Sequence, residues 1–170
     1  MLFLLLVTLF TGQVSASASK ADFIPPQTGT VASSTYTASG KYDPRRDPEK
    51  DLAAAEAEAK TSNRNIFVIV GGEWCSWCHI MDDFFHEHAD LTAIREKNYV
   101  LMKVSMSQEN PNKAFLYRFP KIHGYPHIFI LDADGKLLQS QATNELEDGH
   151  SYNVKRFKKF LEQFAFKASA

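Results

Sequence analysis

Apolar positions along the chain alternate between helical and strand-like spacing. Pro48–Lys60 is alanine-rich, and Asp47-Pro48 supplies an N-cap followed by a proline suited to the first helical position, so a helix is predicted there. Asn65–Val70 is a short, continuous, β-branched run that suits a strand buried on both faces, and Gly71-Gly72 ends it. Cys75–His88 is predicted helical, with Ile80, Phe84 and Phe85 on its apolar side, and Asp90–Lys97 adds a further turn or two. In Tyr99–Met106, Val100, Met102, Val104 and Met106 share one face by alternation, which marks a strand. Asn110-Pro111 is expected to open a short helix through Phe119. His127–Leu131 and Lys136–Gln139 flank Asp132-Ala133-Asp134-Gly135, a hairpin turn. A last helix, Asn153 to Phe166, carries Val154, Phe157, Phe160, Leu161 and Phe164 as its apolar stripe. Strands separated by helices and closed by a hairpin predict an α/β layer architecture.

The chain ends read differently. Leu2–Phe10 is almost wholly apolar, and the small-residue triplets Val14-Ser15-Ala16 and Ala16-Ser17-Ala18 follow it. This pattern predicts a signal peptide over residues 1–18 and hence a periplasmic or secreted protein. No apolar run reaches the ~18 residues that span a bilayer, so no membrane span is expected in the mature form. Residues 19–43 are rich in Ser, Thr, Ala and Gly and read as a flexible arm, with a short strand near Thr30–Thr37. The folded domain is expected over residues 44–166, with a C-terminal tail over 167–170.

Charge and cysteine content narrow the function classes. The 170 residues carry 19 basic and 20 acidic side chains, a formal net charge of −1, which argues against a bulk electrostatic grip on nucleic acid. The basic residues Lys155, Arg156, Lys158 and Lys159 of the last helix read as a solvated face. The chain has two cysteines, Cys75 and Cys78, too close in sequence for their bridge to constrain much chain. A pair of thiols in an oxidising space therefore points to chemistry.

That chemistry centres on Trp74-Cys75-Ser76-Trp77-Cys78-His79. The first cysteine is placed at a helix start just after a buried strand, where unpaired N–H groups and partial positive charge stabilise a thiolate. A thiol of pKa ~8.5 is only about 3% ionised at pH 7, whereas one near ~6.5 is roughly three-quarters ionised. Cys75 is thus expected to be the exposed attacking thiol, and Cys78, inside the first turn, the shielded resolver of a mixed disulfide.

Glu73-Trp74-Cys75-Ser76-Trp77-Cys78 after an apolar strand resembles the active site of thioredoxin-like proteins, and Gly124-Tyr125-Pro126-His127-Ile128-Phe129-Ile130 resembles the family's cis-proline loop and the strand after it. Met102–Met106 and Tyr117–Ile122 resemble the intervening segments. The resemblance implies a thioredoxin-like fold with a central mixed β-sheet flanked by helices. It implies a secreted thiol–disulfide oxidoreductase with a Trp-Cys-x-x-Cys site and no cofactor, whose partners are protein thiol or disulfide substrates and a redox protein. It assigns Cys75 as nucleophile, Cys78 as resolver, a cis Tyr125–Pro126 peptide beside the dithiol, and Trp74, Tyr125 and Pro126 to substrate contact. Two departures stand out. The family's buried acid, six positions before the nucleophile, is Ile69 here, while its lysine partner matches Lys103. Glu73, His79, Lys103 and His127 are the candidates for tuning the thiols.

Other readings of the motif stand beside this one. Cys75-Ser76-Trp77-Cys78-His79 also fits the attachment signature of a c-type haem electron carrier, although it follows a buried strand instead of opening a helical cytochrome domain. Metal binding by both cysteines with His79, His86 or His88 lacks a second cysteine pair, and His86 and His88 do not share a helix face, so no metal is expected. A thioredoxin-fold binding module with an inert disulfide is the non-catalytic alternative.

Overall fold

The computed structural model describes residues 41–167. The predicted signal peptide, most of the arm including the strand near Thr30–Thr37, and the tail beyond Lys167 lie outside the described residues.

Helix α1 (Pro48–Ser62) is started by Asp47, whose carboxylate accepts from the N–H groups of Glu49 and Lys50. Asn63, in the left-handed conformation, ends it. Strand β1 (Asn65–Gly71) is buried at every position. It pairs in parallel with β2 (Tyr99–Ser105) and antiparallel with β3 (His127–Leu131), and β3 pairs antiparallel with β4 (Leu137–Ala142). The sheet order is therefore β2-β1-β3-β4, with β1 central, as its unbroken apolar run implies. Helices α2 (Ser76–Glu87) and α3 (Ala89–Asn98) make the crossover from β1 to β2. The hairpin turn after β3 is closed by Asp132, whose side chain accepts from the N–H groups of Asp134 and Lys136, and Gly135 takes the positive φ of 76° that the turn needs.

Strand alternation sorts the core into two layers. Ile66, Val68, Val70, Val100, Met102, Val104, Phe129 and Leu131 face α1. Phe67, Ile69, Ile128 and Ile130 face Cys75, Cys78, α2 and α5 (Val154–Gln163). The second layer is largely aromatic: Phe84, Phe85, Tyr152, Phe157 and Phe160 meet edge-on or tilted at centroid distances of 5.1–6.1 Å.

Two expectations, the helix after Asn110-Pro111 and the place of Val154, need correction, and one element is new. The helix after Asn110-Pro111 shrinks to a single turn, α4 (Lys113–Leu116). Its N-terminal residues bond locally instead: Asn112 takes φ 46°, its amide donates to the Ser105 carbonyl, and Asn110 Oδ1 accepts from the Asn112 N–H. The second helix of the crossover, α3, covers the expected Asp90–Lys97 with one further residue at each end. Val154 belongs to no buried stripe, because it sits at the first position of α5 and faces solvent. A short hairpin, β5 (Glu147–Asp148) and β6 (Ser151–Tyr152), precedes α5 and was not anticipated. The polar sequence around Gly149, which has φ 61°, hides it.

Candidate active site

Cys75 is the N-cap of α2, in extended conformation at φ −93° and ψ 106°. Its Sγ accepts from the Cys78 N–H at 3.2 Å, filling the place usually held by a capping oxygen. Its carbonyl accepts from the N–H groups of Cys78 and His79, so the sulfur stands over the positive end of the helix. The two cysteines are joined in a disulfide. Both are buried here, Cys75 at 4% exposure and Cys78 at 0%. The expectation of an exposed Cys75 is therefore corrected for the oxidised protein. The sulfur is folded back onto Cys78 and lies in the aromatic core layer, against which Trp77 and Tyr125 also pack.

The Tyr125–Pro126 bond is cis. The Thr143 hydroxyl fixes that loop by donating to the Pro126 carbonyl at 2.6 Å. Trp74 is 59% exposed and meets Tyr125 edge-on at 5.6 Å, while its indole N–H donates to the Met106 carbonyl at 2.6 Å. Trp74, the residue before Cys75, is thereby held against the proline loop. Beside it runs an apolar groove lined by Met106, Pro111, Leu116, Tyr117 and Tyr125.

The expected tuning residues separate. The exposed Glu73 carboxylate accepts from the Tyr42 N–H at 2.6 Å. His79 Nε2 lies 2.8 Å from the Glu73 carbonyl and donates to it, so the imidazole clamps the turn before Cys75. His127 is not beside the sulfurs. It shares the α1-facing side of β3 with Phe129, 4.7 Å between ring centroids, and its Nε2 meets Ser140 Oγ at 2.9 Å. Burial, helped by the charge of His123, pulls its pKa down to about 4. Lys103 lies on the cysteine-facing side of β2, paired in register with Ile69. Its ammonium meets both carboxylate oxygens of Asp82 at 2.7 Å.

Asp82 was overlooked in the sequence, though one signal was available: it stands four residues after Cys78, one turn along the same helix. The family's acid position on β1 is Ile69 here, and the carboxylate that pairs with Lys103 comes from α2. Tyr42 had no such signal, because it is distant in sequence and precedes the first helix. Its ring is buried under the site, 4.8 Å from Lys103 Nζ, although the sequence counts it in the flexible arm. The Tyr152 hydroxyl donates to the Trp77 carbonyl at 3.2 Å and its ring meets Trp77 edge-on, which anchors the first turn of α2.

Comparison with known proteins identifies the family and the fold. The profile of the thioredoxin-like family matches residues 47–133, more than half of the chain. The chain belongs to the thioredoxin-like family. The thioredoxin-like fold is shared with the crystal structure of a disulphide isomerase from Xylella fastidiosa Temecula1, at a TM-score of 0.62 and 20% identity over 72% of this chain and 94% of that one. The C-terminal domain of Neisseria meningitidis DsbD in its oxidised form superimposes at 0.54 and 17% identity, over 69% of this chain and 96% of that one. At these identities the likeness shows the fold. A curated relative, an uncharacterized protein of Caenorhabditis elegans, is 37% identical over 60 residues, which span 35% of this chain and 8% of that protein's length. Among the described residues of this thioredoxin-like protein, no helix is long and apolar enough to cross a membrane, and no group of three His, Cys, Asp or Glu side chains is placed to hold a metal ion.

Proposed function

We propose that this thioredoxin-like protein is a thiol–disulfide oxidoreductase acting on protein thiols or disulfides. The observation that carries the reading is Cys75 as N-cap of α2, its sulfur bonded to Cys78 in the core layer against which Tyr125, of the cis Tyr125–Pro126 bond, also packs. With the pair reduced, the Cys75 thiolate attacks a substrate disulfide and Cys78 then displaces the substrate from the mixed disulfide. With the pair oxidised, the same steps run in reverse and a substrate dithiol leaves as a disulfide. The groove beside Trp74 offers apolar surface for an extended substrate segment, with Tyr125 in its wall.

The proposed compartment is the periplasm or the extracellular space, on the strength of the apolar Leu2–Phe10 and the small residues after it. Haem attachment fits the geometry less well. Both sulfurs are engaged with each other, and the His79 nitrogen that would approach an iron is held on the Glu73 carbonyl.

The test is turnover of a generic protein disulfide by the reduced protein, with a redox titration of the pair. Exchange that disappears in Cys75→Ser supports the reading. Wild-type turnover no faster than that of Cys75→Ser would make the protein a binding module with an inert bridge.

A further inference from the structure

Gly71, the last residue of β1, lacks a side chain where the site is most crowded. A methyl group there would run into Cys78 Sγ and would stand 3.0 Å from Tyr42 Oη and 3.1 Å from Tyr42 Cζ. The tyrosine hydroxyl and the resolving sulfur therefore both border the space that a side chain on Gly71 would take. We infer that the Tyr42 hydroxyl is the hydrogen-bond donor that receives the Cys78 thiolate, making Tyr42 a positioning residue for the second half of exchange. The inference deepens the oxidoreductase reading and rests on it for its kinetic part.

Several features hold the hydroxyl in place. The Tyr42 N–H is tied to the Glu73 carboxylate, and two residues on, the Pro44 carbonyl accepts from the Asn110 amide at 2.8 Å. The ring lies under Lys103, whose ammonium is paired with Asp82. The titratable groups facing this pocket are Lys103 from β2, Asp82 from α2, Tyr152 from β6 and Glu73 from the loop. Burial first, then the negative charge of Asp82, pushes the Tyr42 phenol well above its ordinary range. It therefore keeps its proton and acts as a donor, not as a base.

The step balances as follows. In the mixed disulfide, Cys78 releases its proton to solvent water and Tyr42 Oη–H bonds to the resulting thiolate. Cys78 Sγ attacks Cys75 Sγ, forming the Cys75–Cys78 bond and breaking the bond from Cys75 to the substrate sulfur. The electron pair leaves with the substrate thiolate, which takes a proton from water. Tyr42 ends the cycle with its own proton. The hydrogen bond stabilises Cys78 only as an anion, so it favours resolution without assisting the first attack by Cys75.

The test is Tyr42→Phe in the full chain, which keeps the ring and its stacking on Lys103. In a Cys75→Ser background Cys78 is the one remaining cysteine. Its thiolate absorbance then reads this thiol alone. Below the midpoint, Tyr42→Phe is expected to lower the thiolate fraction about tenfold, the effect of losing one hydrogen bond to a charged group. With Cys75 present, release of substrate from a preformed mixed disulfide slows by a smaller factor, about threefold, because the remaining thiolate is more basic and more nucleophilic, while alkylation of Cys75 in a Cys78→Ser background keeps its rate. An unchanged or larger thiolate fraction overturns the inference, as does unchanged release. If the thiolate fraction falls as expected but wild-type protein turns over no substrate, the oxidoreductase reading fails and the hydrogen bond stands. Tyr42→Leu, which also removes the ring, separates loss of packing from loss of the hydroxyl: if it matches Tyr42→Phe in thiolate fraction, the hydroxyl is responsible, and if only Tyr42→Leu lowers it, packing is and the inference is overturned.

Discussion

Lys103 Nζ sits 2.7 Å from both carboxylate oxygens of Asp82, joining the middle of β2 to the turn of α2 that follows Cys78. The lysine side chain is 5% exposed and the aspartate 37%, so most of the desolvation falls on the cation. Asp82→Asn leaves that cation buried without its anion. We expect a loss of about 1–3 kcal/mol in urea unfolding, below the range for wholly buried pairs because water reaches Asp82. Lys103→Met, which removes the buried charge and keeps the volume, should cost less than Asp82→Asn. The reverse order would mean that the pair contributes through Lys103's contacts with other groups.

Gly71→Ala is expected to destabilise the oxidised protein by about 1–3 kcal/mol, since a wholly buried Cys78 and a tethered Tyr42 leave the methyl no space. Gly124→Ala is the control, because a methyl there meets nothing within 4 Å. Unfolding of both variants by denaturant checks the contrast.

The pH dependence of stability should carry the mark of His127. Its pKa falls from 6.5 to about 4 on folding, so between those values the unfolded chain binds more protons than the native one. Stability from this group is full above pH 6.5 and is lost as pH falls toward 4. Subtracting the melting profile of His127→Asn from that of wild type should leave a difference that grows in this interval. A flat difference would show that the imidazole is neither buried nor neutral in solution.

The two cysteines should behave unequally. Cys75 caps the helix, so Cys78→Ser is expected to accumulate mixed disulfides with substrate, while Cys75→Ser accumulates few and loses exchange. Non-reducing electrophoresis after acid quench reads both. Equal trapping by the two variants would mean that either sulfur can attack and that the helix terminus does not distinguish them.

Most of the frame could be read from the sequence because its signals are local. The β-branched run at Asn65–Val70 can only be a strand with both faces covered, and Asp47, Cys75 and Asn153 each mark a helix start by their side chains. The sulfur pair and the proline loop were likewise visible, each as a contiguous motif. What stayed hidden depends on contacts between distant segments. Lys103 could be matched as a family position, but its partner changed element, from Ile69's place on β1 to Asp82 on α2. His127 sits one residue after Pro126, yet strand alternation turns its ring to the opposite layer. Tyr42 lies in a stretch whose composition reads as linker, and only packing shows that it belongs to the core.

The tether between Tyr42 and Glu73 also bears on where this protein can be trimmed. The family profile begins at residue 47 and the first helix at Pro48, so either would suggest itself as the start of a minimal fragment. A fragment begun there would keep every helix and strand found among the described residues and still lose the tyrosine that borders Cys78. The smallest piece that retains the native surroundings of the sulfur pair starts no later than Tyr42.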